Sequence, residues 1–187
     1  MTREAAPSNK AELRRQFRAR RQAHLPAAES DLQRYAIALA ATLKGEPLIG
    51  LYWPLAGEAD LRDLTSQACL AMPRVAAGRL TYRRWRPGDA MAPDDTGIPA
   101  PALGPDLEAN ALGLLLVPAL ACDQRGFRLG YGGGWFDRLR SDPLWGAVPA
   151  LAVLPAACLV DELPADPWDV PFSGWLDERG VHWLQGV

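Results

Sequence analysis

The chain is poor in the residues that build metal clusters, disulfide frameworks and covalent nucleophiles. Its 187 residues include only three cysteines and two histidines. Cys69, Cys122 and Cys158 are scattered and odd in number. Neither they nor His24 and His182 make a CxxC or Cys/His pair at zinc spacing. A reduced, cytoplasmic protein is the simplest reading. No run of 18 apolar residues is present, so no membrane-spanning helix is expected. The first residues lack the apolar stretch of a secretion signal. There is no internal repeat, no GxSxG nucleophile elbow and no GxxxxGK(S/T) phosphate loop.

What is present is an ordinary globular composition, 49% hydrophobic and 22% charged, at a length that suits one domain with a sizeable core. The expected division is a flexible end over residues 1–8 and a single α/β domain over 9–187. The net charge of −2 hides an asymmetry: residues 1–24 carry +5 and the remainder −7.

The densest signal lies between Leu114 and Arg138. An apolar run suited to a buried strand, Leu112 to Val117, leads to four glycines in five residues (Gly130, Gly132, Gly133, Gly134) and then to a helix-like segment. Glycine lets a backbone approach an anion closely, and the first N–H groups of a helix are unpaired. Arg128 and Arg138 flank the loop, and Asp137 can hold a hard cation. Together they suggest Mg-nucleotide chemistry. On spacing alone a simple tight turn fits the glycines equally well.

Periodicity predicts a helix from Lys10 to His24, with Lys10, Arg14, Arg18 and Arg21 on a basic face. A second helix is expected from Pro26, with Leu32, Ala36, Leu39 and Leu43 as its apolar stripe and Gly45 as its stop. Strands are expected at Leu48–Trp53, Pro73–Ala76, Leu80–Trp85, Leu112–Val117, Ala150–Leu154 and Val181–Leu184. Further helices are expected at about Asp60–Ala71 and Gly134–Arg140. Residues 86–111 read as the least ordered stretch. Alternating strands and helices imply a three-layer α/β fold, a largely parallel sheet flanked by helices on both faces. Ligands of such sheets bind beyond the carboxyl ends of the strands.

Each candidate residue also has a plain reading. Asp137 could be a surface carboxylate and Asp169 a turn cap. The basic helix could be a solvated face, a nucleic-acid surface, or a source of phosphate ligands through Lys10 and Arg14. The acidic chain and the lack of interleaved aromatics disfavour nucleic acid. Glu58 could accept hydrogen bonds from a polar ring or lie in an exposed loop. Trp53, Trp135 and Phe136 could stack on a flat ligand or pack the interior. His182 reads as structural.

Taken in order, the motifs resemble those of the 5-formyltetrahydrofolate cyclo-ligase family. The likeness runs from about Lys10 to Asp169. It comprises Lys10-Ala-Glu-Leu-Arg14, Tyr52-Trp53-Pro54 with Glu58, Pro73-Arg74-Val75, Trp85 to Asp89, Gly97 to Pro101, Val117 to Arg138, and Pro167-Trp-Asp-Val-Pro171. The resemblance implies ATP- and Mg2+-dependent conversion of 5-formyltetrahydrofolate to 5,10-methenyltetrahydrofolate, ADP and phosphate. It assigns ATP to Lys10, Arg14, Arg128, Leu129, Gly130, Tyr131, Gly132, Gly133, Gly134, Trp135 and Phe136. Magnesium goes to Asp137 and Asp169. The folate goes to Trp53, Glu58 and the stretch Tyr131, Gly132, Gly133, Gly134 and Trp135. Lys10, Arg128 and Asp137 would carry the catalysis, in a protein expected to be monomeric with no nucleic-acid or membrane partner.

The chain departs from the family pattern at four places. Trp135-Phe136 replaces Tyr-Tyr, Gly133 stands where many members have lysine, Ala100 replaces a glutamate, and Ser173 lies where an aspartate is common. The first change motivates the alternative, a non-catalytic relative that binds reduced folate or nucleotide.

Overall fold

The structure, a computed structural model, describes residues 10–45 and 48–184. The loose end expected over residues 1–8 lies outside them. A long helix, Lys10–Ala40 (α1), is followed by Leu48–Gly50 (β1), Leu70–Ala76 (β2), Arg79–Trp85 (β3), Met91–Pro93 (β4), Pro99–Pro101 (β5) and Leu112–Pro118 (β6). Then come Ala121–Asp123 (β7), Arg128–Leu129 (β8), Trp135–Arg140 (α2), Pro143–Gly146 (α3), Ala150–Val153 (β9), Leu159–Val160 (β10), Gly174–Asp177 (β11) and Gly180–Trp183 (β12).

The main sheet has the order β12-β11-β9-β6-β1-β2-β3. Its inner pairs are parallel, and β3 and β12 close the two edges antiparallel. The inner strands are near-continuous apolar runs because helices cover both faces. On one face Ile49, Leu114, Leu116, Leu151 and Val153 pack under the α1 stripe Leu25, Leu32, Ala36 and Leu39. On the other Leu115, Val117, Ala150 and Ala152 meet Leu139 of α2, with Phe136 and Trp145 alongside. The three-layer fold expected from the alternation of elements is the one observed. Gly50 is needed where the β6 side chains close over β1: a Cβ there would lie 2.5 Å from Leu115 Cδ2 and 2.6 Å from Leu112 Cδ2.

The two helices expected around Pro26 are a single helix. Proline inside a helix costs about 3 kcal/mol, because it removes one backbone hydrogen bond and crowds the preceding turn. The buried positions Phe17, Arg21, Leu25, Ala28, Leu32, Ala36 and Leu39 nevertheless stay in phase across it. Each fully buried leucine returns about 1.5–3 kcal/mol, so the stripe outweighs the proline. The helix expected at Asp60–Ala71 is only a 3-10 turn, Arg62–Ser66. Its last residues pair with β1 instead, since Leu70, Ala71 and Met72 are fully buried as strand. Residues 86–111 contain the β4–β5 hairpin, which Asp94 ties to β2. Strand β11, unmarked in the periodicity, is inserted beside β9.

Candidate active site

The carboxyl end of β6 stops at Pro118, and the chain returns beside it through the β7–β8 hairpin. The turn is knotted by Asp123, which is wholly buried. Its Oδ1 accepts from the amides of Arg125 (3.0 Å) and Phe127 (2.9 Å), and its Oδ2 from the amide of Leu163 (2.9 Å). At Gly126 (φ +87°) a Cβ would lie 2.5 Å from the Phe172 carbonyl oxygen, so only glycine closes this turn. Arg128 then points back at β6 and donates from NH1 to the Pro118 carbonyl (3.1 Å).

Beyond this hairpin the glycine loop separates two adjoining cavities. The polar one, about 360 Å³, is lined by Lys10, Arg14, Arg128, Arg138, Asp137 and Asp169, with Asp166 and Trp168 at its outer wall. Arg14 Nε donates to the Gly130 carbonyl at 3.0 Å, fixing α1 to the loop. Lys10 donates to Asp166 Oδ2 and lies 3.5 Å from Asp169 Oδ2. Burial alone would lower the Lys10 pKa, but Asp166 and Asp169 together raise it above its ordinary value. Helix α2 is only six residues long, so the positive field of this cavity comes from side chains more than from a helix dipole.

The second cavity, about 250 Å³, is mostly apolar. Tyr52, Trp53, Tyr131, Trp135 and Phe136 form one side, and Pro73, Val75, Leu80 and Ile98 the other. Trp135 carries the Arg138 guanidinium 4.4 Å from its ring centre and packs on Gly133. Glu58 is buried at the inner end. Its Oε2 accepts from the Leu55 amide (2.9 Å), while Oε1 is buried with no hydrogen-bond partner among the described residues. Tyr131 receives a hydrogen bond from Arg21, and its phenol pKa is raised by burial first and by Glu58 second. Arg128, Gly130, Gly134 and Asp137 line both cavities. The two spaces therefore meet at the Arg128–Asp137 ion pair, where NH2 and Oδ1 are 3.3 Å apart.

The profile of the 5-formyltetrahydrofolate cyclo-ligase family matches residues 6–175. The chain belongs to this family. Curated relatives called 5-formyltetrahydrofolate cyclo-ligase include that of Mycolicibacterium smegmatis, 36% identical over 110 residues. That alignment covers 54% of this chain and 53% of the relative, so it spans about half of that protein's length. The Escherichia coli K12 relative is 28% identical over 133 residues, 66% of this chain and 73% of its own. Among solved structures, the 5,10-methenyltetrahydrofolate synthetase of Aquifex aeolicus superposes with a TM-score of 0.74 at 26% identity, covering 95% of this chain and 94% of that one. The fold is shared with the Mycoplasma pneumoniae synthetase, TM-score 0.70 at 20% identity over 91% and 99% of the two chains.

Of the residues singled out from the sequence, Lys10, Arg14, Arg128, Leu129, Gly130, Gly132, Gly134, Asp137 and Asp169 all line the polar cavity. Trp53, Glu58, Tyr131, Gly133, Trp135 and Phe136 line the apolar one. The expectation for Arg21 needs correction. Helical spacing sets it on the basic face with Lys10, Arg14 and Arg18, yet it is 3% exposed and turned inward beside Glu58 and Tyr131. Sequence reasoning also missed Asp94, Thr96 and Ile98, which bring the β4–β5 hairpin to the apolar cavity. The Asp94-Asp-Thr-Gly97 run is an Asx-turn signature that could have marked it.

The donor set tests the implied magnesium. Among the described residues no three carboxylate, histidine or cysteine groups cluster as a closed metal site. Magnesium bound with a nucleotide needs only one or two carboxylates, the rest being phosphate oxygens and water. Asp137 and Asp169 on one polar cavity satisfy that requirement. Asp137 accepts from Arg128 through Oδ1, and Asp169 accepts from the Asp166 amide through Oδ2.

Proposed function

We propose that the protein is an active cyclo-ligase, converting 5-formyltetrahydrofolate and ATP to 5,10-methenyltetrahydrofolate, ADP and phosphate with Mg2+. The supporting observation is the meeting of a cationic and an apolar cavity at Arg128 and Asp137. The phosphate chain lies along Lys10, Arg14 and the Gly130–Gly134 backbone, with Trp135 and Phe136 at its inner end. The pteridine enters the apolar cavity between Trp53, Tyr131 and Trp135. There Glu58 Oε1 accepts a ring N–H, which removes the cost of a buried, unpaired carboxylate oxygen.

The formyl oxygen then attacks the γ-phosphorus as the bond to ADP breaks. The phosphorylated formyl carbon is electrophilic, and the N10 lone pair adds to it. Phosphate leaves with the former formyl oxygen, N10 loses its proton, and the ring closes. Arg128, 4% exposed at the junction, holds the charge that develops on the transferring group. Asp137 and Asp169 would hold magnesium, which when bound neutralises charge on the phosphate oxygens. The chain's remaining task is positioning. A thiolate nucleophile is not at hand: burial pushes the Cys122 thiol up to about 12 and the Cys158 thiol up to about 11, and the exposed Cys69 lines neither cavity. The three cysteines are unpaired, in keeping with a cytoplasmic setting, and no helix among the described residues is long and apolar enough to cross a membrane.

The test is the absorbance of the methenyl product with purified protein, 5-formyltetrahydrofolate and Mg-ATP. A rise that needs both ATP and magnesium is expected. Folate binding without any rise would sink the reading and leave a non-catalytic binding relative.

A further inference from the structure

A nucleoside triphosphate presents two unlike ends, a string of anionic oxygens and a flat aromatic base. The polar cavity accounts for the first with lysine and arginine side chains. Its outer wall is different in kind: Leu163, Pro164 and Trp168 come from one irregular strap between β10 and β11. Trp168 is 68% exposed, although a tryptophan has more apolar surface to gain from burial than any other side chain.

The chain has seven tryptophans. Trp53, Trp85, Trp135, Trp145 and Trp175 each hold a ring or a guanidinium against the indole. Trp168 and Trp183 do not, among the described residues. Trp183 lies on the edge strand β12, away from both cavities, whereas Trp168 borders the phosphate cradle.

The strap that carries Trp168 is fixed on both sides. At one end Leu163 is held by Asp123 through its amide and by Arg125 through its carbonyl (2.6 Å). At the other, the Asp166 amide donates to Asp169 Oδ2 (2.8 Å) and the Asp169 amide to the Asp166 carbonyl (2.9 Å). Lys10 grips both carboxylates, so the same lysine ties the phosphate wall to the two residues that bracket the indole. A free aromatic face at a fixed distance from a row of cations is a preorganised stacking platform.

We propose that Trp168 is the platform on which the base of the nucleotide stacks. This rests on reading the polar cavity as the phosphate site. Calorimetry with Mg-ADP and with Mg-tripolyphosphate, which has phosphates and no base, separates the two ideas without requiring turnover. In Trp168→Ala the Kd for ADP should rise about tenfold, the range expected for loss of one base–aromatic stack. Trp168→Phe should recover most of that loss, and the Kd for tripolyphosphate should not move in either variant. An unchanged Kd for ADP in Trp168→Ala would overturn the proposal. So would ADP and tripolyphosphate weakening together, which would make Trp168 a mere shaper of the cavity. Wild-type protein that binds neither compound would instead overturn the phosphate-site reading, and the platform with it.

Discussion

Arg21 and Glu58 face each other inside the protein, NH1 to Oε1 at 3.8 Å, with side chains 3% and 2% exposed. The distance is too long for a hydrogen bond, and Arg21 NH1 donates instead to the Ala119 carbonyl and the Tyr131 hydroxyl. It therefore balances the charge of Glu58 without covering Oε1. Glu58→Gln should raise KM for the folate by about tenfold, the usual worth of a hydrogen bond to a charged group. KM for ATP should stay put, and equal losses for both substrates would count against the pterin contact. Arg21→Met leaves a buried carboxylate unbalanced and should cost about 3 kcal/mol in urea unfolding. A cost below about 1 kcal/mol would show that the pair does not matter to the fold.

Asp137 can be separated from stability more cleanly. Its side chain is 37% exposed and its one ion pair among the described residues is with Arg128. Asp137→Asn keeps an amide oxygen that can accept from the buried Arg128, so the unfolding free energy should fall by no more than about 2 kcal/mol. With Asp137 in the proposed magnesium site, turnover should fall at least about a hundredfold, because the metal that neutralises the phosphoryl charge would lose a ligand. Titration of Mg2+ in the assay should show a higher metal requirement. Normal turnover at low magnesium would remove Asp137 from the metal site.

Asp94 is the tie that turns the β4–β5 hairpin into a wall of the apolar cavity. Its Oδ2 accepts from the Val75 amide (2.8 Å), and its Oδ1 from the Thr96 amide (2.8 Å), the Thr96 hydroxyl (2.6 Å) and the Ile98 amide (3.2 Å). Burial alone would raise its pKa, but these donors prevail and lower it from the ordinary carboxylate value. A lowered pKa means that the stabilisation is present above the unfolded value and is lost as pH falls through the folded one. Asp94→Ala should therefore destabilise the protein by about 2 kcal/mol at neutral pH and by progressively less below about pH 4. It should also raise KM for the folate. A difference between the two proteins that persists unchanged at pH 2 would disprove the assignment.

The layers of the fold were legible in the chain because buried strands and the α1 stripe obey simple periods. β6 and β9 read as apolar runs, and Leu32, Ala36 and Leu39 as a helical face. The errors have one physical origin: long-range packing overrode local signals. Pro26 looks like a helix start until the stripe Phe17 to Leu39 is seen to lie on one sheet. Leu70 and Ala71 look helical with Leu64 and Ala68 until β1 claims them. Arg21 belongs to a run of arginines in the sequence, and only the fold places a carboxylate, Glu58, and a phenol, Tyr131, beside it. The cationic lining was readable because glycines and basic residues sit close together in the chain. The opposite wall, from Pro73 to Ile98, was not, since nothing local says that a hairpin of prolines and aspartates folds back over β2.

Lys10 supplies the last prediction, because two carboxylates hold the ammonium that the phosphates are proposed to take. Asp166 and a phosphate oxygen compete for it. Asp166→Asn removes the stronger competitor but keeps the Asp166 backbone bonds to Asp169, so the strap should stay in place. Lys10 and Asp166 side chains are 25% and 40% exposed, and a pair of that kind is worth at most about 1 kcal/mol. The gain in ATP affinity should thus be no more than about fivefold, whereas Lys10→Met should lose affinity. The lysine pKa is raised, so any stability from the pair is complete below the ordinary lysine value and disappears as pH rises through the folded one. Urea midpoints of the wild type and Lys10→Met should then converge only as pH rises beyond 10.5, the ordinary lysine value. If Asp166→Asn weakened ATP binding instead, Asp166 would be a supporting wall of the nucleotide site and not a competitor for its lysine.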